Sequence, residues 1–280
     1  MTTDDKKQNM LISSEEKKDV LIEMLRNFGD FLDQNSINWH VAYGTMIGAV
    51  RHHGFIPWDD DIDICVPRGD YIKLLHLIDN KLDELKKKHL VRITYSAGVP
   101  TGHYYLWFKI ADDRTYLRDN GCLRPGVHID VFPIDKISNS SGKEYRKCKN
   151  KILRYCNLCD LSSNEREIKV TSIGKTLIYK ALNKAFSIIG RKRITEFFER
   201  KLINAELSAS NGYYFYAGSR FNDCVEVEKY ERKILVPFES LKVPIPDGFD
   251  TILKVQYGHY MELPPKDKRH GHEYEIIYWI

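Results

Sequence analysis

No apolar run in this sequence approaches the roughly 18 residues that a membrane-spanning helix needs, so an integral helical membrane protein is not expected. The opening stretch, MTTDDKKQNM, is polar throughout and lacks the apolar centre of an export signal, so no secretion is expected either. Internal repeats and low-complexity tracts are absent, which excludes a repeat array. Charge of one sign is also missing. The net value is +4, from 43 Lys and Arg against 39 Asp and Glu, too mild for charge alone to argue for nucleic acid. With no export signal, the six cysteines read as reduced thiols in the cytosol. Cys156 and Cys159 form a CxxC with no second pair, and helical spacing puts both on one face, so buried thiols are expected rather than zinc. SIGKT at 172–176 is not a phosphate-binding Walker loop, because the glycine required at position 169 is a lysine.

What is present describes a globular chain of 280 residues, 42% hydrophobic and 29% charged, long enough for one large domain or a core with an extension. Ser13 and Glu16 form a capping box ahead of Leu21, Leu25, Phe28 and Leu32 at helical spacing, and this helix is expected to end near Asn35. WHVAY at 39–43 reads as a buried strand that meets Gly44-Thr45 and then a short helix carrying Met46, Ile47, Ala49 and Val50. Pro67 opens a second helix with Tyr71, Leu74, Leu75, Ile78 and Leu82 on one face and a lysine-rich end. Strands are expected at 90–95, 104–110 and 126–135. Residues 142–209 look helical and basic, 212–245 return to short strands, and 249–257 is a short helix. The fold class is α+β with mixed α/β character. A boundary near residue 140 separates a core, 1–140, from a largely helical C-terminal region, 141–280, that packs back on it.

The densest chemistry lies in GFIPWDDDIDICVP at 54–67, which places Asp59, Asp60, Asp61 and Asp63 within five positions. Strand side chains alternate between faces. In a strand over 61–66, Asp61 and Asp63 share one face while Ile62 and Ile64 share the other. The same alternation in VHIDVFP sets Asp130 between Ile129 and Val131, with His128 and Phe132 on its own side. Three carboxylates converging from two neighbouring strands repel one another unless a cation joins them. Mg²⁺, which takes hard oxygen ligands and lets phosphate complete its shell, fits Asp61, Asp63 and Asp130 as ligands, with Mn²⁺ as a substitute. Asp59 and Asp60 precede the strand and cap the turn or support the ligands. The competing reading is a solvated acidic turn.

Gly44-Thr45, where a strand gives way to a helix, offers backbone N–H groups to phosphate. Gly48 suits a close approach of helix and sheet. Arg51 extends toward the acidic turn, where it holds a phosphate or pairs with Asp59 or Asp60.

YGTMIGAVRHHGFIPWDDDIDI, at 43–64, resembles the signature of the LicD family of phosphotransferases, part of the nucleotidyltransferase superfamily. KIADDRTYL at 109–117, GVHIDVFPID at 126–135 and YGHYMELPP at 257–265 are similar to later blocks of that family. Residues 140–250 show no usable resemblance. The resemblance implies a nucleotidyltransferase-type mixed sheet flanked by helices. It implies transfer of a phosphorylated alcohol, typically phosphocholine from CDP-choline or another CDP-alcohol, to a glycan or lipid-linked glycan such as a lipopolysaccharide or teichoic acid precursor, with release of CMP. Asp61 and Asp63 match the family's metal aspartates, and Asp130 sits where the third acid is expected, as the base for the acceptor hydroxyl. Lys109, on an adjacent strand, steadies phosphate charge or simply snorkels at a strand end. The spacing from Gly44 to Asp61 is longer than in most of the superfamily.

Other side chains carry two readings each. Trp58, Tyr104, Trp107, Tyr214 and Tyr216 offer ring faces to a quaternary ammonium or serve as core. His270 and His272 contact metal, phosphate or acceptor, or belong to an exposed tail. The basic amphipathic stretch 173–207 docks on anionic lipid or presents a solvated face. The expected location is cytoplasmic, peripheral at the inner membrane face if that stretch docks. Two rival functions stand: a nucleotidyltransferase that makes a CDP-type intermediate and releases pyrophosphate, and a non-catalytic nucleotide- or glycan-binding protein. The face assignment has a direct test. Asp61→Ala and Asp63→Ala should each abolish turnover while leaving far-ultraviolet dichroism intact, and Asp60→Ala should hurt much less. An Asp60→Ala variant as inactive as Asp61→Ala would overturn the assignment.

Overall fold

The computed structural model describes residues 11–93, 107–119, 122–137, 150, 181, 184, 213–216, 225–269 and 277–279. Helix α1, Ser14–Gln34, begins with the expected capping box: the Ser13 hydroxyl accepts from the Glu16 N–H, and the Glu16 carboxylate accepts from the Ser13 N–H. It ends with Asn35 as its C-cap and buries Leu21, Leu25, Phe28 and Leu32 on one face. Strand β1, His40–Val41, is shorter than the sequence suggests, because Tyr43 already opens helix α2, Tyr43–Arg51. Tyr43 has φ +47°, a left-handed conformation that costs about 1 kcal/mol or more outside glycine. Its ring is held edge-on against Phe132, 5.2 Å between centroids.

Strand β2 is Ile62–Pro67, helix α3 Arg68–Asn80 and helix α4 Leu82–Lys86. The single helix expected after Pro67 is therefore two. Lys81, at φ −120° and ψ 29°, breaks it and leaves Leu82 on the surface. Strands β3, Leu90–Ile93, β4, Phe108–Asp112, β5, Thr115–Asp119, β6, Cys122–Pro125, and β7, His128–Ile137, follow. The chain continues with β8, Tyr213–Tyr216, β9, Val225–Glu226, helix α5, Glu228–Glu231, β10, Lys233–Phe238, β11, Leu241–Pro246, helix α6, Phe249–Tyr257, and β12, Ile277–Trp279. The helical character expected for 142–209, and the boundary near 140, fall outside the described residues.

The main sheet is mixed, in the order β1-β2-β7-β4-β3, with β8 joining the later half of β7 and β9 joining β8. β2 and β7 run parallel, and the other pairs are antiparallel. Ile62, Ile64, Ile129 and Val131 are fully buried, so β2 and β7 show the alternation read from the sequence. β12 pairs with β5, which brings the end of the chain beside the β5–β6 hairpin, an element the sequence reading did not separate. In the β10–β11 hairpin, Glu239 sits at φ +50° and docks on the loop before the acidic stretch. Its carboxylate accepts from the Phe55 N–H at 2.9 Å, and its own N–H donates to the His53 carbonyl at 2.8 Å. A side chain at Gly54 would place its Cβ 2.1 Å from that carboxylate. At Gly48 a Cβ would meet the Gly54 carbonyl at 2.4 Å, so that glycine allows α2 to approach loop backbone, not the sheet.

Among the described residues, one ion pair lies wholly inside. Arg68, at the start of α3, grips Asp135 of β7 through Nε to Oδ1 at 2.7 Å and a terminal nitrogen to Oδ2 at 2.9 Å, with 2% and 0% of the two side chains exposed. Two parallel charge-assisted bonds satisfy most of the donors and acceptors that burial takes from water. Removing one partner leaves the other charged and dry. Asp135→Ala should therefore cost about 3–5 kcal/mol in chemical denaturation. Replacing both residues with apolar ones of similar volume should recover most of the loss, and a single variant of near wild-type stability would contradict this account.

Candidate active site

The register between strands assembles the site. Parallel pairing sets Asp63 of β2 opposite Asp130 of β7, and antiparallel pairing sets Lys109 of β4 opposite Asp130 from the other side. Directly opposed residues present their side chains on the same face of a sheet. Asp63, Asp130 and Lys109 thus form a row across three strands. The Asp130 carboxylate accepts from Trp107 Nε1 at 2.7 Å and from Lys109 Nζ at 2.9 Å. Lys109 also donates to His128 Nε2 at 2.7 Å, while His128 Nδ1 donates to the Gly126 carbonyl at 2.8 Å. A carbonyl only accepts, so the ring proton is assigned to Nδ1 and the Nε2 lone pair faces the lysine.

Asp63 is fixed through its backbone. Its N–H donates to Thr45 Oγ1 at 2.9 Å, and its carbonyl accepts from the Ala42 N–H at 2.9 Å. Thr45 is thereby a strut between α2 and β2. Burial pushes the Asp63 carboxyl well above the ordinary aspartate range, and the neighbouring charges of Asp61, Asp130 and Asp59 push it further, against the opposing pull of Lys109. Asp59 lies at the mouth of α2: a Cβ on Gly44 would come within 2.6 Å of Asp59 Oδ2. The glycine expected to face phosphate thus has a carboxylate of its own chain beside it. Asp60 is engaged by Lys17 of α1 at 2.7 Å, consistent with a supporting place outside the strand face.

Among the described residues, no three His, Cys, Asp or Glu side chains are gathered closely enough to hold a metal ion as they stand. Asp61, Asp63 and Asp130 are drawn together at the starts of the central strands β2 and β7 but do not form a closed cage, since Asp130 is turned onto Trp107 and Lys109. The donor chemistry still suits Mg²⁺. It is held by one or two carboxylates together with substrate phosphates more often than by an all-protein cage.

The remaining candidates have separate positions. Arg51 donates from one terminal nitrogen to the carbonyls of Tyr260 at 2.5 Å and Glu262 at 3.2 Å, and from Nε to His52 Nε2 at 3.0 Å. It ties α2 to the segment after α6, a role that neither the phosphate nor the aspartate reading foresaw. The Arg269 guanidinium lies 5.4 Å from the centre of the Trp58 ring. The Trp107 indole is committed through its N–H to Asp130, and its ring packs 4.7 Å from Phe132. Tyr214 and Tyr216 lie in β8. Tyr104, His270, His272, Cys156, Cys159 and nearly all of 173–207 lie outside the described residues.

Sequence reasoning missed Asp135 and Lys17. Asp135 carried a readable signal: counting by twos from Ile129 and Val131 places it on the apolar face of β7, where a carboxylate requires a buried cation. Lys17 had no such signal, because its partner Asp60 is 43 residues away.

Residues 36–151 match the family described as LicD/FKTN/FKRP, nucleotidyltransferase domain. The chain is 24% identical over 272 residues to the lipopolysaccharide cholinephosphotransferase LicD of Haemophilus influenzae, an alignment covering 94% of this chain and 97% of that protein. It runs through most of 140–250, where the sequence by itself showed no usable likeness. Shorter similarities join it to uncharacterized proteins of Rickettsia typhi, 37% identical over 65 residues, and Rickettsia prowazekii, 38% over 58 residues. These cover 23% and 21% of this chain, and 21% and 22% of those proteins.

The raised Asp63 carboxyl makes a stability prediction with a defined sign. A carboxyl whose folded pKa lies above its unfolded value favours the fold while protonated, and that advantage is lost as pH rises through the folded value. In chelator, Asp63→Asn should therefore melt higher than wild type at neutral pH. The gap should close below the ordinary aspartate range, where both side chains are neutral. Equal melting temperatures at pH 7 would show that the carboxylates are not in conflict.

Proposed function

We propose that this chain, which carries a LicD-family domain at residues 36–151, is a Mg²⁺-dependent phosphotransferase. It moves phosphocholine, or a related phospho-alcohol, from a CDP-alcohol to a hydroxyl of a cell-surface glycan precursor and releases CMP. The observation that carries this reading is the register row of Asp63, Asp130 and Lys109, with Asp61 two residues before Asp63. The Haemophilus influenzae relative, a lipopolysaccharide cholinephosphotransferase, supports choline as the alcohol and lipopolysaccharide as the acceptor class.

Asp61 and Asp63 hold the metal, which when bound offsets negative charge on the diphosphate. Asp130 accepts the proton of the attacking hydroxyl. Trp107 and Lys109 keep its carboxylate from turning away, and Thr45 fixes the strand position of Asp63. As the acceptor oxygen bonds to the phosphorus of the phospho-alcohol, the bond from that phosphorus to the bridging oxygen breaks. CMP leaves with the electron pair. Lys109 steadies the charge on the transferring group. No helix among the described residues is long and apolar enough to cross a membrane. We place the enzyme in the cytoplasm, meeting a glycan or lipid-linked acceptor at the inner membrane face.

The test is product identity. Incubation with Mg²⁺ and CDP-choline, CDP-glycerol or CDP-ribitol should release CMP, faster with a glycan acceptor. EDTA should stop the reaction, and Mg²⁺ or Mn²⁺ should restore it. Activity that survives thorough chelation would remove the metal from the mechanism. Pyrophosphate released from CTP, without CMP from any CDP-alcohol, would establish nucleotidyl transfer instead. If the alcohol is choline, losing one important ring among Tyr104, Tyr214 and Tyr216 should weaken CDP-choline by roughly 2- to 30-fold and leave CDP unchanged. Preference for a CDP-polyol would exclude choline and keep the phosphotransferase.

A further inference from the structure

The segment after α6 returns to the acidic loop and brings a second arginine with it. Arg51 is fixed to the carbonyls of Tyr260 and Glu262, and Arg269 lies over Trp58, the residue just before Asp59. Arg269 Nε donates to the Pro264 carbonyl at 2.8 Å. Its terminal nitrogens carry no bond to any described residue, and neither arginine is paired with a carboxylate among the described residues. Both arginines are held by carbonyls of one segment, 260–264, which places their charges in the same neighbourhood. Burial and the like charge of Arg269 together depress the Arg51 pKa. Guanidinium groups do not give up their protons at neutral pH, so two of them in one neighbourhood, neither paired with a carboxylate among the described residues, favour an anion. This is the mirror image of the crowded aspartates a few residues away.

The architecture suits recognition more than simple bracing. The Arg269 guanidinium lies over the Trp58 ring, and the Pro264 carbonyl takes its Nε–H. The two terminal nitrogens, not bonded to any described residue, carry the parallel N–H groups that match two oxygens of a phosphate. Lysine offers only a point charge and cannot reproduce that fork.

We propose that Arg269, with Arg51 beside it and Trp58 as the positioning residue, binds the phosphates of the nucleoside diphosphate donor. This inference rests on the phosphotransferase reading for the identity of the ligand, but the anion site can be tested without it. The probe is inorganic pyrophosphate, titrated calorimetrically into the full chain in excess EDTA, so that no metal bridges ligand and aspartates. Wild type should bind saturably at millimolar concentrations or below, more weakly as salt rises. Arg269→Gln should weaken binding about tenfold or more, and Arg269→Lys should recover only part of it. Trp58→Leu should weaken it about 2- to 30-fold, and Trp58→Phe should restore most of the loss, with melting temperatures near wild type throughout. No saturable binding to wild type, or equal affinity in Arg269→Gln, overturns the proposal.

CMP assays on the same proteins separate the two readings. Arginine-dependent pyrophosphate binding without CMP release from any CDP-alcohol would leave the anion site standing and remove the phosphotransferase. CMP release with an unchanged donor KM in Arg269→Gln would do the reverse.

Discussion

Carboxylates at the starts of two central strands, held closer than their charges favour, are the constraint on which this molecule is built. Parallel pairing of β2 with β7 sets Asp63 against Asp130, and Asp61 and Asp59 add their fields to the same region. Nothing about such a cluster stabilises a fold, so its surroundings must hold it. Behind it, Ile62, Ile64, Ile129 and Val131 are fully buried and anchor the two strands. In front, Trp107 and Lys109 fix Asp130, Thr45 fixes the backbone of Asp63, and Lys17 takes Asp60. The cation proposed for this site would relieve that imbalance, with phosphate completing its shell.

The buried Arg68–Asp135 pair belongs to the same design. Pro67 of β2 lies opposite Ile134 of β7, so the pair continues the register that began at Asp63 and Asp130. A one-residue slip of a strand turns its side chains to the other face. A slip of β7 would drive Asp130 toward the core and carry Asp135 away from the buried Arg68. Hydrophobic contact alone tolerates related registers among Ile and Val, whereas a two-bond ion pair does not. At one end the paired strands carry like charges in conflict, and at the other they carry charge that is already neutralised.

The later part of the chain completes the neighbourhood. The β10–β11 turn clamps Gly54 and Phe55 through Glu239, Arg51 reaches Tyr260 and Glu262, and Arg269 covers Trp58. These contacts join residues about 180 to 210 positions apart at the rim of the acidic loop. The loop is supported from both sides: by α1 through Lys17, and by the C-terminal part through the hairpin and the arginines.

The sequence by itself determined the local periods and the chemistry. The capping box and apolar stripe of α1, the helix at 249–257 and the two-residue alternation in β2 and β7 were legible, because each is a pattern among near neighbours governed by backbone geometry. The same alternation placed Asp63 and Asp130 on the face opposite Ile62, Ile64, Ile129 and Val131, with Asp61 just ahead of β2. Tertiary structure decided what no local pattern encodes: that β2 and β7 run parallel with Asp63 opposite Asp130, that Lys109 and Trp107 close on Asp130, and that Arg51 turns to backbone carbonyls instead of an aspartate. It also decided that Lys81 breaks a continuous apolar stripe into two helices. Strand order, register and long-range pairing are set by how whole surfaces fit together. A residue's partner across 40 or 200 positions is fixed by that fit, and its identity is not written in its neighbours.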